Sequence, residues 1–258
     1  MPSPATATTP MAKHLPRAGQ RPRAGQRPTL TSRSTATRVL AGLLLAGALA
    51  YSTWSVEVFL PTGLSPRTAY VSELAAEDQP YGTFFRTVDL LAGLLVLAGA
   101  VWAPTARGTR GAGLSAVGWA GLALFGAATV ADSRLPLSCA ATADPDCLAR
   151  ERAGGVPWTH SAHAVSSSLA VTGALAGMVL LTVVARRRAG AWPALARTGP
   201  VLVVLELAAT CWVLASIAAF EAGRGTWGLG IGQRLQVLVI AVWLVVLAWS
   251  AATEARRE

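Results

Sequence analysis

The chain has 258 residues, 53% of them hydrophobic and only 14% charged. A soluble domain carries roughly a quarter charged residues, so this composition excludes an ordinary soluble domain and indicates a polytopic membrane protein. The 22 basic residues exceed the 13 acidic ones. We assign this excess to membrane topology and expect no nucleic-acid partner, because of where the arginines lie.

The first 36 residues contain almost no large apolar side chains, and residues 17–22 and 23–28 both read RAGQRP. Such a segment cannot bury enough apolar surface to order itself. We therefore predict a disordered basic cytoplasmic tail at 1–36. A transmembrane domain follows at 37–253, and a short cytoplasmic tail at 254–258 ends the chain.

Six apolar segments make up the predicted transmembrane domain. Each is long enough to cross a hydrocarbon core of roughly 30 Å as an α-helix. An open strand would leave backbone groups unpaired in lipid, so helix is the expected structure. We predict an all-α bundle of six transmembrane helices, at about residues 39–60, 82–103, 113–132, 159–185, 198–220 and 232–253.

The arginines orient this bundle. If the N-terminus is cytoplasmic, fifteen of the 22 basic residues fall in the tails and the cytoplasmic loops. Ten of the 13 acidic residues then fall outside or in the outer leaflet. The positive-inside rule therefore predicts a cell-membrane protein with both termini in the cytoplasm and residues 133–158 outside.

The polar interruption from Ala131 to Ala164 concentrates the reactive residue types, including two of the three cysteines. Cys139 and Cys147 lie on the predicted outer side, where the environment is oxidising. Structural zinc sites favour a shorter spacing and four ligands, so a disulfide is the preferred prediction for this pair.

His160 and His163 open the fourth segment and share one face of the helix, while Asp132 ends the third. The first turn of a helix disfavours a positive imidazolium, so both rings are expected to be neutral. Together the three side chains could hold a catalytic zinc. The plainer interpretation is a set of interfacial polar groups that hydrogen-bond the loop and cap the helix.

Two carboxylates lie within the predicted spans. Asp89 is in the second, with Arg86 three residues earlier as its expected partner, and Glu206 is in the inner half of the fifth. Charged groups at such depth are unfavourable unless paired, and are candidates for function. A structural ion pair is the alternative for Asp89 and Arg86.

The loop after the first segment contains Ser72 and Glu73 on a short amphipathic stretch. This pair could cap a helix or supply a nucleophile and a base, but no GxSxG context supports the second interpretation. Arg234 opens the sixth segment and faces the same leaflet.

Four strings together resemble the bacterial family called domain of unknown function 998: SPRTAYVSELAA, FFRTVDLLAGLL, ADSRLPLSCAATADPDCLARERAG and WTHSAHAVSSSLA. The resemblance extends from about Val39 to Thr253. It implies a six-helix integral membrane protein without an established activity, distantly similar to six-span proteins of the Frag1/DRAM type. A looser likeness to transmembrane hydrolases such as alkaline ceramidases implies zinc, although those proteins have seven spans and more histidines.

Three functional hypotheses follow. The first is a membrane protein whose polar outer-leaflet pocket binds a lipid or a small ligand. The second is a zinc-dependent intramembrane hydrolase of lipid or amide bonds, which would use the Asp/His/His cluster with Ser72 or Asp89 assisting. The third is a small-solute or proton-coupled transporter that uses Asp89 and Glu206. The sequence does not determine an oligomeric state.

Overall fold

The computed structural model describes Met1 and residues 30–106, 113–188 and 190–254. Within these ranges the chain forms α-helices and short 3₁₀ helices and no strand. The α-helices are α1 (Leu30–Tyr51), α2 (Gly82–Ala106), α3 (Leu114–Arg134), α4 (Pro145–Arg152), α5 (Trp158–Arg187), α6 (Pro193–Glu221) and α7 (Leu229–Glu254). The 3₁₀ helices are Thr53–Phe59 and Val71–Ala75.

Six helices are long and apolar enough to cross a membrane: α2, α3, α5, α6, α7, and α1 together with the 3₁₀ helix that follows it. This confirms the predicted all-α fold with six spans. The first helix begins at Leu30, so its start overlaps the segment predicted as a tail. Residues 2–29 and 255–258, which hold the rest of the predicted tails, lie outside the described residues.

The spanning helices form a closed ring in the order α1, α2, α3, α5, α6, α7, in which each helix packs mainly against two neighbours. Leu30 and Glu254 lie at the same end of the ring, because six spans cross it between them. We call this the terminal end. The loop end is the opposite end, formed by residues 60–81, 135–157 and 222–228.

Glycines bring α2, α3 and α5 into backbone contact. A Cβ on Gly126 of α3 would lie 2.6 Å from the Leu97 backbone nitrogen of α2. A Cβ on Gly173 of α5 would lie 2.6 Å from the Phe125 backbone nitrogen of α3. Larger residues at these positions would push the helices apart, so the small residues serve packing within the bundle.

The loop end carries a helix that the hydropathy pattern does not reveal. Helix α4 begins because Asp144 accepts a hydrogen bond from the Asp146 backbone N–H at 2.9 Å and Pro145 occupies the first turn. A disulfide joins Cys139 to Cys147 at the start of α4, with Cα atoms 6.0 Å apart. The loop is thereby fixed around a small buried cluster.

Candidate functional site

A cavity of about 110 Å³ lies in the half of the bundle nearest the loop end. Five of the six spans line it, together with the 3₁₀ helix Val71–Ala75 and the start of the loop after α3. Its polar lining residues are Tyr51, Trp54, Ser72, Asp89, Thr129, Asp132, His163, Ser167, Gln233 and Gln236. Several residues singled out in the sequence thus meet at one place.

Asp132 and His163 face each other across the α3–α5 contact. Asp132 accepts hydrogen bonds from the Ser166 hydroxyl and, at 3.0 Å, from the Ser167 hydroxyl. His163 Nδ1 is 2.8 Å from the Leu135 carbonyl oxygen and 3.7 Å from Asp132 Oδ1. A carbonyl only accepts, so Nδ1 carries the proton. His163 Nε2 is buried and has no hydrogen-bond partner within the described ranges.

His160 has different partners from His163. Its Nδ1 accepts from the Ser138 backbone N–H at 3.1 Å and lies 2.9 Å from the Ser138 hydroxyl. Its Nε2 is 3.5 Å from Glu151 Oε1, at the end of α4. This histidine therefore holds the disulfide loop and α4 against α5, and it does not line the cavity.

The donor set predicted for zinc does not fit a shared metal ion. In the part of the chain that the structure describes, no three His, Cys, Asp or Glu side chains are placed to hold one. His160 directs its two ring nitrogens to Ser138 and Glu151, whereas His163 turns to Leu135 and Asp132. A zinc site needs at least three converging protein ligands, so we derive no metal-dependent step.

Asp89 and Arg86 do not form the expected ion pair. Arg86 Nη1 donates to the carbonyl oxygens of Ala75 at 2.6 Å and Ala76 at 3.2 Å, while Nη2 donates to Thr83. The arginine thus fastens the loop to the start of α2. Asp89 lines the cavity, and no hydrogen bond joins it to another residue in the described ranges.

Glu73 makes the contacts expected of the helix-cap interpretation of the Ser72–Glu73 pair. Glu73 is 1% exposed, and its carboxylate accepts from the Tyr70 N–H at 3.0 Å, the Thr142 N–H at 2.8 Å and the Thr142 hydroxyl. Burial raises the pKa of Glu73, although these hydrogen bonds oppose the rise. Glu73 therefore caps its 3₁₀ helix and ties it to the disulfide loop, while Ser72 lines the cavity.

Arg234 forms a buried ion pair that the sequence analysis missed. Its Nε and Nη2 each lie 2.6 Å from one oxygen of Glu57, and Nη1 donates to the Ala69 carbonyl at 2.9 Å and the Gly230 carbonyl at 3.1 Å. Both side chains are almost fully buried. The signal in the sequence was an acid near the end of the first span and a base near the start of the last.

Glu206 is fully buried and lies nearer to the cavity than its place in the sequence suggested. Gln236, which lines the cavity, donates to the Thr210 hydroxyl at 2.8 Å, and Thr210 donates to Glu206 Oε1 at 3.5 Å. Glu206 Oε2 is buried without a partner in the described part of the chain. A short polar chain thus leads from the cavity to Glu206.

The ring of six apolar spans, with a polar cavity between them, defines a multi-pass helical membrane protein. Within that class, residues 44–250 match the family described as "Protein of unknown function (DUF998)", and the chain belongs to this family. The match confirms the resemblance carried by the four sequence strings. No curated protein and no solved structure matches the chain.

Proposed function

We propose that this protein binds a small polar ligand or a lipid headgroup in the cavity at its loop end. The observation that carries the proposal is a set of cavity-lining polar groups without protein partners. His163 Nε2 and Trp54 Nε1 are buried and unpaired within the described residues, and Asp89 has no hydrogen bond there. Buried polar groups are normally satisfied, so an unpaired set around a cavity points to a ligand.

Native mass spectrometry tests this proposal. Val171 lines the cavity, and Val165, on the same helix, is 63% exposed on the outside of the bundle. We expect the native protein and Val165→Phe to retain a bound molecule after gentle detergent extraction, and Val171→Phe to lose it. Equal occupancy in the two folded variants, or no bound molecule in any of them, would contradict the proposal.

We further propose that the protein resides in a bacterial cell membrane with its loop end outside and both termini in the cytoplasm. The support is the bias of the arginines toward the terminal end. In a Cys211→Ala background, a membrane-impermeant maleimide should label Gly155→Cys in intact cells and label Arg188→Cys only after lysis. Both positions are exposed, at opposite ends of the bundle. The reverse pattern would invert the topology.

Proton-coupled transport is a second candidate function, favoured by the polar chain from Gln236 through Thr210 to Glu206. On the terminal side, a buried apolar cluster that includes Met178, Leu181, Trp243, Leu244 and Leu247 closes the bundle. Transport would therefore require this cluster to open. Proteoliposomes with an internal pH dye test the idea: a proton flux that Glu206→Gln abolishes would support it, and an equal flux in both proteins would reject it.

A further inference from the structure

The Asp, Glu, Lys and Arg residues that line the cavity are all acidic. Asp89 on α2 and Asp132 on α3 both line the cavity, whereas no described lining residue is Arg or Lys. The nearby cations have other partners, since Arg86 is held by loop carbonyls and Arg234 by Glu57. A carboxylate in the membrane interior is unfavourable unless a counter-charge is present. Asp89 therefore has no cationic partner among the residues that the structure describes.

His163 gives a second and independent indication of the ligand. It is 93% buried, and its Nδ1–H points to the Leu135 carbonyl oxygen. In the neutral ring with its proton on Nδ1, Nε2 presents a lone pair and is a hydrogen-bond acceptor. A ligand that satisfies this atom must bring an N–H or O–H donor.

The aromatic lining agrees with a cationic occupant. Tyr51 and Trp54 both line the cavity, on the first span and its 3₁₀ extension. Aromatic rings attract an ammonium group within about 6 Å of the ring centre, most strongly when the group is desolvated. The carboxylates, the imidazole nitrogen and the Tyr51 ring thus favour a positively charged N–H donor, and the unpaired Trp54 Nε1–H can donate to an oxygen of the same ligand.

We infer that the cavity selects a primary ammonium group. Asp89 neutralises its charge, and His163 Nε2 accepts a hydrogen bond from it. This inference rests on the proposed ligand-binding function and names its ligand class. The ammonium could belong to a free amine or to an aminolipid headgroup such as phosphoethanolamine. A trimethylammonium group has the charge but no N–H to donate, and an uncharged alcohol has a donor but no charge.

The test uses the full-length protein in a detergent without aminolipid. The free-ligand probes are ethanolamine, choline and ethylene glycol, and the lipid probes are lysophosphatidylethanolamine, lysophosphatidylcholine and lysophosphatidylglycerol. Within the free-ligand set, the lipid set or both, we expect binding. In each set that binds, the ethanolamine compound should have an affinity at least tenfold higher than that of its two analogues. If lysophosphatidylethanolamine binds and ethanolamine does not, the ligand is an aminolipid. If ethanolamine binds as well, a free amine is sufficient as the ligand.

Two variants separate the inference from the broader proposal. Asp89→Asn should weaken ethanolamine or aminolipid binding at least tenfold, whereas Asp78→Asn, on an exposed loop, removes the same charge and should leave binding unchanged. Equal binding of the choline analogues, or no effect of Asp89→Asn, overturns the inference. If the native protein retains a neutral or anionic molecule that Val171→Phe loses, the proposed binding function is supported and the ammonium inference is contradicted. If no probe binds and no molecule is retained, both fail.

Discussion

Replacing Arg234 by Met should strongly destabilise the protein. The change removes two charge-assisted hydrogen bonds to Glu57 and leaves this carboxylate buried without a counter-charge. Each such bond contributes about 1.5–3 kcal/mol, and breaking a buried ion pair from one side costs about 3–5 kcal/mol. The Ala69 and Gly230 carbonyls also lose their side-chain donor. For a chain of this size, we expect the thermal midpoint to fall by about 6–20 °C.

The assay is thermal unfolding in detergent, followed by the fluorescence of the nine tryptophans. Arg150→Met is the matched control, because Arg150 is 53% exposed and lies 3.9 Å from Asp144. Such a surface pair contributes about 0–1 kcal/mol, so its loss should lower the midpoint by less than about 4 °C. Adding Glu57→Gln to Arg234→Met should recover part of the loss, because no buried charge then remains. An Arg234→Met midpoint equal to that of the control would refute this reasoning.

Three further predictions concern stability and use the same assay. Cys139→Ser opens the ring to Cys147, which should lower the free energy of unfolding by about 2–3 kcal/mol and add one thiol that maleimide labels in the denatured protein without reductant. Burial raises the pKa of Glu73, so its ionisation destabilises the fold as pH rises from about 4.3 through that raised value. The midpoint of Glu73→Gln relative to the native protein should therefore increase with pH across this window, and a constant difference would contradict it. Gly173→Ala should lower the midpoint because its Cβ meets the α3 backbone, whereas Gly42→Ala, with nothing within 4 Å, should not.

The spans were predictable because hydropathy is a local property of the sequence. A run of about 20 apolar residues must cross the bilayer as a helix, whatever it packs against. Helix α4 was not predictable in this way, because it lies outside the spans and depends on the Asp144 cap and Pro145. The start of α1 at Leu30 was missed for a related reason, since a helix can continue beyond the apolar run.

Side-chain partners were harder to predict than spans because they depend on what lies opposite. His160 and His163 are three residues apart, so they differ by about 60° around the helix axis. That difference is enough to turn one ring toward Ser138 and the other toward Leu135. Arg86 likewise donates hydrogen bonds to loop carbonyls and does not pair with Asp89, because the loop folds back over the start of α2.

The glycine contacts among α2, α3 and α5 have a mechanical consequence. Where backbone meets backbone, no side chain can change rotamer to let one helix slide past another, so these three helices should move as one rigid body. Asp89, Asp132 and His163 all belong to this body and keep a fixed spacing. The opposite wall, with Tyr51 and Gln236, belongs to α1 and α7. Any widening of the cavity must then come from a movement of α1 and α7 away from the other three helices. The distances among Asp89, Asp132 and His163 would stay constant during that movement.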